Sequence, residues 1–112
     1  MNEVFVKTMD GTGAAIAVKC GFVPAYVRVT NIESATIEQL EWYRGMGAGH
    51  AIKTVTGTVA RTKITSNGIT PDGELVTDTV EQGFTIGADA DVNVAGETIV
   101  IIAMRGGESN QF

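Results

Sequence analysis

Two side chains in this sequence carry the reactivity that nucleophilic catalysis uses, Cys20 and His50. Such catalysis needs a nucleophile, a base that activates it and a third group that orients the base. Cys20 is the only cysteine and His50 the only histidine. His50 directly follows the glycine-rich run Gly45-Met46-Gly47-Ala48-Gly49, a flexible loop and a poor platform for a positioned base. A lone cysteine beside Gly21 reads as a small buried hydrophobe. It also excludes an internal disulfide and a cysteine zinc site, which fits a reducing folding environment.

The glycine run fails as a nucleotide site. A phosphate-binding loop needs Gly-Lys-Ser/Thr, but Lys53-Thr54 follows Ile52. A dinucleotide fingerprint begun at Gly45 and Gly47 would put its third glycine at His50. The run Asp89-Ala90-Asp91-Val92-Asn93 opens like a calcium loop, with oxygen ligands at alternate positions. Val94 then stands where that loop requires glycine, and Val100 where it requires glutamate. Asp and Asn also serve turns by bonding nearby backbone, so a turn is the expectation for 89–96. Glu38 and Glu41 read as members of a solvated face, not as an acid–base pair. No catalytic residue, cofactor or metal ligand is assigned, and the chain is expected not to be an enzyme.

The elements around these residues are strands. The 112 residues are 44% hydrophobic and 19% charged, the balance of one folded domain. Aromatics are 6%, so the core must come mainly from Val, Ile, Leu, Met and Ala. Branching at Cβ suits Val, Ile and Thr to a pleated surface, and the 14 glycines supply turns. Residues 26–32 alternate, with Val27 and Val29 on one side and Tyr26, Arg28 and Thr30 on the other. Residues 36–43 read either as a strand, with Leu40 and Trp42 on one face, or as a helix capped by Ser34. The strand is preferred, because its neighbours are strands and Gly45 stops it early. Residues 4–9 read as a short mixed segment, and shorter strands are expected at 14–19, 53–64 with a bend at Gly57, 75–80 and 83–87. The run Ile99-Val100-Ile101-Ile102 in the last strand, 97–104, suggests burial on both faces. Turns are expected at Asp10-Gly11-Thr12-Gly13, Ser66-Asn67-Gly68 and Pro71-Asp72-Gly73. Short strands with turns every eight to twelve residues predict an all-β chain, a compact antiparallel sandwich or jelly-roll-like barrel. Residues 1–112 read as a single β domain, with a possible N-terminal arm at 1–13 and a tail at 105–112.

The net charge of −5 argues against nucleic acid, whose binders concentrate cations against phosphate. The eight Lys and Arg are scattered between Lys7 and Arg105. No run approaches the roughly 20 apolar residues that span a bilayer, and the N-terminus lacks the pattern of a signal peptide. Trp42 is expected in the core. Tyr43, with Met46, His50 and Phe5, is the candidate partner interface, since large aromatics and Met gather at interface centres.

Several segments resemble stretches of small tailed-phage and prophage proteins. They are Gly21-Phe22-Val23-Pro24-Ala25-Tyr26-Val27-Arg28-Val29-Thr30-Asn31, Leu40-Glu41-Trp42-Tyr43-Arg44-Gly45-Met46, Ala51-Ile52-Lys53-Thr54-Val55, Ile64-Thr65-Ser66-Asn67-Gly68-Ile69-Thr70-Pro71 and Gly83-Phe84-Thr85-Ile86-Gly87. The resemblance spans about residues 21–104 and rests on turn and strand motifs. It implies a virion structural protein of the head decoration (cement) type. Such a protein is made in the host cytoplasm and sits on the outer capsid surface. Its expected partners are the major capsid protein and further copies of itself, as a trimer or dimer. The alternative is a tail, baseplate or fibre component, possibly a carbohydrate-binding module using Tyr26, Tyr43 or Trp42.

Overall fold

The computed structural model describes residues 4–58, 60–72 and 80–106. Eight strands account for most of them: β1 (Val4–Asp10), β2 (Ile16–Lys19), β3 (Tyr26–Asn31), β4 (Glu38–Tyr43), β5 (His50–Val55), β6 (Ala60–Asp72), β7 (Gly83–Ile86) and β8 (Thr98–Met104). They form one antiparallel sheet in the order β1-β8-β3-β4-β5-β6-β7-β2. Among the described residues there is no helix, so residues 38–43 are strand, with Leu40 and Trp42 buried. The strand expected at 75–80 lies almost wholly outside the described residues.

Consecutive strands β1 and β2 occupy opposite edges of this sheet, and that forces its shape. Eight flat strands would separate the edges by roughly 34 Å. The link 11–15 spans at most about 20 Å. The sheet therefore curls into a half-barrel, the nearer of the two expected packings to a barrel. Gly11 fastens the closing end. Its N–H donates to the Glu97 carbonyl at 2.8 Å, and its carbonyl accepts from Gly96 N–H at 3.1 Å.

The concave face holds the core. Ile99, Ile101 and Ala103 of β8 lie beside Val27 and Val29 of β3, then Leu40 and Trp42 of β4 and Ala51 of β5. Ile69, Phe84, Ile86, Ile16, Val18 and Phe22 complete it from the other half of the sheet. The Cys20 thiol, in the same core, donates to the Phe22 carbonyl at 3.2 Å.

Three sequence expectations change. Residues 4–10 are a full strand of the sheet, not an arm. Ser66-Asn67-Gly68 does not end a strand but lies inside β6. There the pairing with β5 jumps from Ala51↔Ile64 to His50↔Ile69. Asn67 adopts a left-handed φ of 62°, a turn conformation that here offsets a long strand without reversing it. β6 can then pair with β5 through its first half and with β7 through its second. Finally, β8 is buried on one face only. Ile99, Ile101 and Ala103 are fully covered, while Val100 and Ile102 on the convex side are half-buried, because a single curled sheet puts no layer over its outside.

Candidate assembly surface

Strand register assembles the convex face in rows, since directly opposed residues share a face. One row runs Val4–Met104–Tyr26–Tyr43 across β1, β8, β3 and β4. The next runs Val6–Ile102–Arg28–Glu41–Ile52–Lys63. The β1/β8 corner of these rows is apolar and exposed: Val4 at 51%, Val6 at 63% and Met104 at 44%. Tyr43, at 42%, closes the first row. Beyond β8 the face turns polar. Glu41 accepts from the Tyr26 hydroxyl at 2.9 Å and pairs with Arg61 at 3.1 Å, leaving its side chain only 14% exposed. The solvated glutamate expected at 41 is therefore largely covered. Burial, and then the bond to Glu41, push the Tyr26 phenol up to about 12.

The four candidate interface residues do not share one surface. Tyr43 lies on the convex face, its ring 5.2 Å from that of Tyr26 and tilted by 55°. Phe5 points from β1 to the concave side and packs, half-buried, on the core. Met46 and His50 flank the β4–β5 turn. Met46 sulfur accepts from Tyr43 N–H at 3.4 Å, and the His50 ring lies against Gly47. Trp42 is in the core at 3% exposure and donates its indole N–H to the Gly47 carbonyl at 3.3 Å, so it offers no stacking face to a sugar. Sequence reasoning missed Val4, Val6, Ile102 and Met104. The signal was present: the run Ile99-Val100-Ile101-Ile102 is apolar on both faces, although the sheet buries only one of them.

Near Met46 lies an open apolar cleft of about 260 Å³, lined by Val23, Pro24, Trp42, Arg44, Met46 and Pro71 among others. It falls below the roughly 300 Å³ of ordinary small-molecule sites. Arg44 crosses it to donate to the carbonyls of Val23 and Arg105 at 3.3 Å each.

The candidate calcium residues are occupied otherwise. Lys53 projects from the concave face of β5, and its ammonium lies 3.0 Å from Asp89 Oδ2 and 2.7 Å from Asp91 Oδ2. Asp89 Oδ1 accepts from the N–H groups of Asp91 and Val92. Asn93 faces away from both carboxylates. Its Oδ1 accepts from Thr12 and Gly13 N–H, and its Nδ2 donates to the carbonyls of Ala14 and Gly87. A protein cation thus takes the place of a metal between the carboxylates, and Asn93 ties the β1–β2 link to the β7–β8 connection. No protein-family model matches the chain, and neither a curated protein nor a solved structure matches it.

Proposed function

We propose that the protein is a non-catalytic structural component of a phage virion, a head decoration (cement) protein that binds the major capsid protein on the outer capsid surface. The observation that carries an assembly role is the exposed apolar corner at β1 and β8, on a sheet edge where, among the described residues, no strand pairs with the outer side of β1. A contiguous apolar patch beside an open edge serves contact with another protein, through side chains and through backbone hydrogen bonds. The titratable groups with the closest partners, Lys53 with its two aspartates and Tyr26 with Glu41, are committed to each other. The virion assignment rests on the resemblance across residues 21–104. Many copies on a lattice make modest contacts sufficient, and binding only the assembled shell stabilises it by mass action.

The test is addition of purified protein to expanded heads that lack it. Co-sedimentation with the heads and a higher head melting temperature are the expected results. Protein that stays in the supernatant overturns the head assignment. Immunogold labelling confined to the tail replaces it with the tail reading.

A further inference from the structure

We infer that Asn67-Gly68 is a self-modification site, a deamidation switch that the offset in β6 holds closed and that separation of β6 from its neighbours releases, whatever the protein binds.

Of the asparagines in the chain, only Asn67 is followed by glycine. With no Cβ beside it, the Gly68 nitrogen is open to reaction. The branched Ile32 and Val94 crowd the nitrogens that follow Asn31 and Asn93. The Gly68 nitrogen, giving its proton to a solvent base, attacks the side-chain amide carbon of Asn67. The bond from that carbon to Nδ2 breaks, and Nδ2 takes up a proton and leaves as ammonia. A five-membered succinimide remains, and water adds to one of its two carbonyls. Cleavage at the side-chain carbon gives aspartate. Cleavage at the main-chain carbon gives isoaspartate, whose main chain is one carbon longer. The whole conversion consumes one water and releases one ammonia.

The Asn67 side chain is exposed, and its amide has no hydrogen bond among the described residues. The main chain is what holds the reaction back. At a φ of 62°, Asn67 lies in the left-handed region, where ψ is roughly +30 to +60°. There the Gly68 nitrogen stands on the far side of the Cα–C bond from Cβ, away from the carbon it must attack. Ring closure needs the Asn67–Gly68 peptide to rotate about ψ. Gly68 N–H donates to the Gly49 carbonyl at 2.9 Å, and the Gly68 carbonyl accepts from Gly87 N–H at 2.8 Å. A Cβ on Gly68 would overlap the His50 carbonyl, and one on Gly87 the main chain of Asn67, so the peptide has main chain packed on both sides. Rotation there breaks two hydrogen bonds and finds no room. The folded chain reacts only through local opening, and its rate falls with the fraction of time spent open. The isoaspartate product adds its extra carbon where β6 passes from pairing with β5 to pairing with β7. The reaction therefore turns a transient opening into a permanent loss of that pairing.

The test incubates the full chain at mildly alkaline pH, in native buffer and in urea that unfolds it. Peptide mass spectrometry follows Asn67, with Asn31 and Asn93 as internal references. Asn67 is expected to deamidate first in urea, and at least about tenfold more slowly in native buffer. Isoaspartyl chains separated from the urea sample should fail to regain the native circular dichroism spectrum on dilution, while unreacted chains from the same sample regain it. Asn67→Gly keeps the left-handed φ and has no amide, so it should refold fully after the same incubation. A native rate within about threefold of the urea rate overturns the inference, because the fold then gives no protection. Isoaspartyl chains that refold with the wild-type melting temperature overturn it too, as does an equal loss of refolding in Asn67→Gly.

Discussion

Lys53 and Asp89 meet at 3.0 Å inside one end of the half-barrel, joining the concave face of β5 to the β7–β8 connection. Asp91 reaches the same nitrogen at 2.7 Å. One ammonium therefore holds down the segment that covers this end of the core, where Val92 is fully buried.

Removing that ammonium leaves Asp89, a side chain 6% exposed, without its counter-charge. Lys53→Met should cost about 3 kcal/mol in urea denaturation, the scale of breaking a buried pair. Asp91→Asn should cost under about 1 kcal/mol, because Asp91 is 48% exposed. The double variant Lys53→Met/Asp89→Asn should recover part of the loss. Calcium or a chelator should leave the wild-type melting temperature within about a degree, since no ligand-linked stabilisation operates while Lys53 fills the site.

Asn93 is the second fastening of the same end. It is 1% exposed, and both ends of its amide are bonded to backbone. Asn93→Ala leaves buried N–H and C=O groups of the 12–14 link and Gly87 unmatched, and should cost about 3 kcal/mol. Asn93→Asp keeps the acceptor for Thr12 and Gly13 but removes the donor to Ala14 and Gly87, and should also destabilise. Thermal melts of the two variants measure both effects.

Close backbone approach makes four glycines, Gly11, Gly68, Gly83 and Gly87, intolerant of any side chain. A Cβ on Gly68 would overlap the His50 carbonyl, and one on Gly83 the Val18 carbonyl. Neither obstacle is a side chain that can rotate away. Gly68→Ala and Gly83→Ala should each cost more than about 3 kcal/mol or fail to fold. Gly57→Ala meets only the Thr36 methyl at 3.0 Å, in an exposed turn, and should change stability by less than about 1 kcal/mol. Soluble yield and melting temperature separate the cases.

Alkaline stability follows from Lys53 and Tyr26. In Lys53 burial opposes the charge, but hydrogen bonds to Asp91 and Asp89 outweigh it, so the pKa rises above 10.5. Burial and the Glu41 bond take Tyr26 to about 12. Both groups bind their protons more tightly folded than unfolded. Their contributions are complete below about pH 10 and disappear as the pH climbs through the folded values. Denaturation midpoints should fall from pH 10 upward. Tyrosinate absorbance should show a phenol titrating near 12 that Tyr26→Phe removes; its persistence in that variant would refute the assignment.

Much of the architecture was legible in alternation. Val27 and Val29 against Tyr26, Arg28 and Thr30 announced β3 and its buried side, and Leu40 with Trp42 announced the inner face of β4. Period two settles which residues share a face, because successive side chains must point opposite ways.

What alternation cannot state is what covers each face, or which distant residue arrives there. Asp89 and Asp91 carry the composition of a metal loop, yet Lys53 meets them because β5 lies inside the curl that brings the β7–β8 connection across it. Ser66-Asn67-Gly68 carries the composition of a reversal, yet β5 and β7 on its two sides turn it into an offset within β6. The residues of the apolar corner are separated by almost the whole chain, and only the pairing of β1 with β8 sets Val4 beside Met104 and Val6 beside Ile102. Local sequence thus determined the strands and their inner faces. Tertiary pairing alone decided where the edges lie, which charges neutralise each other, and which apolar side chains stay exposed, since each depends on contacts between residues far apart in the chain.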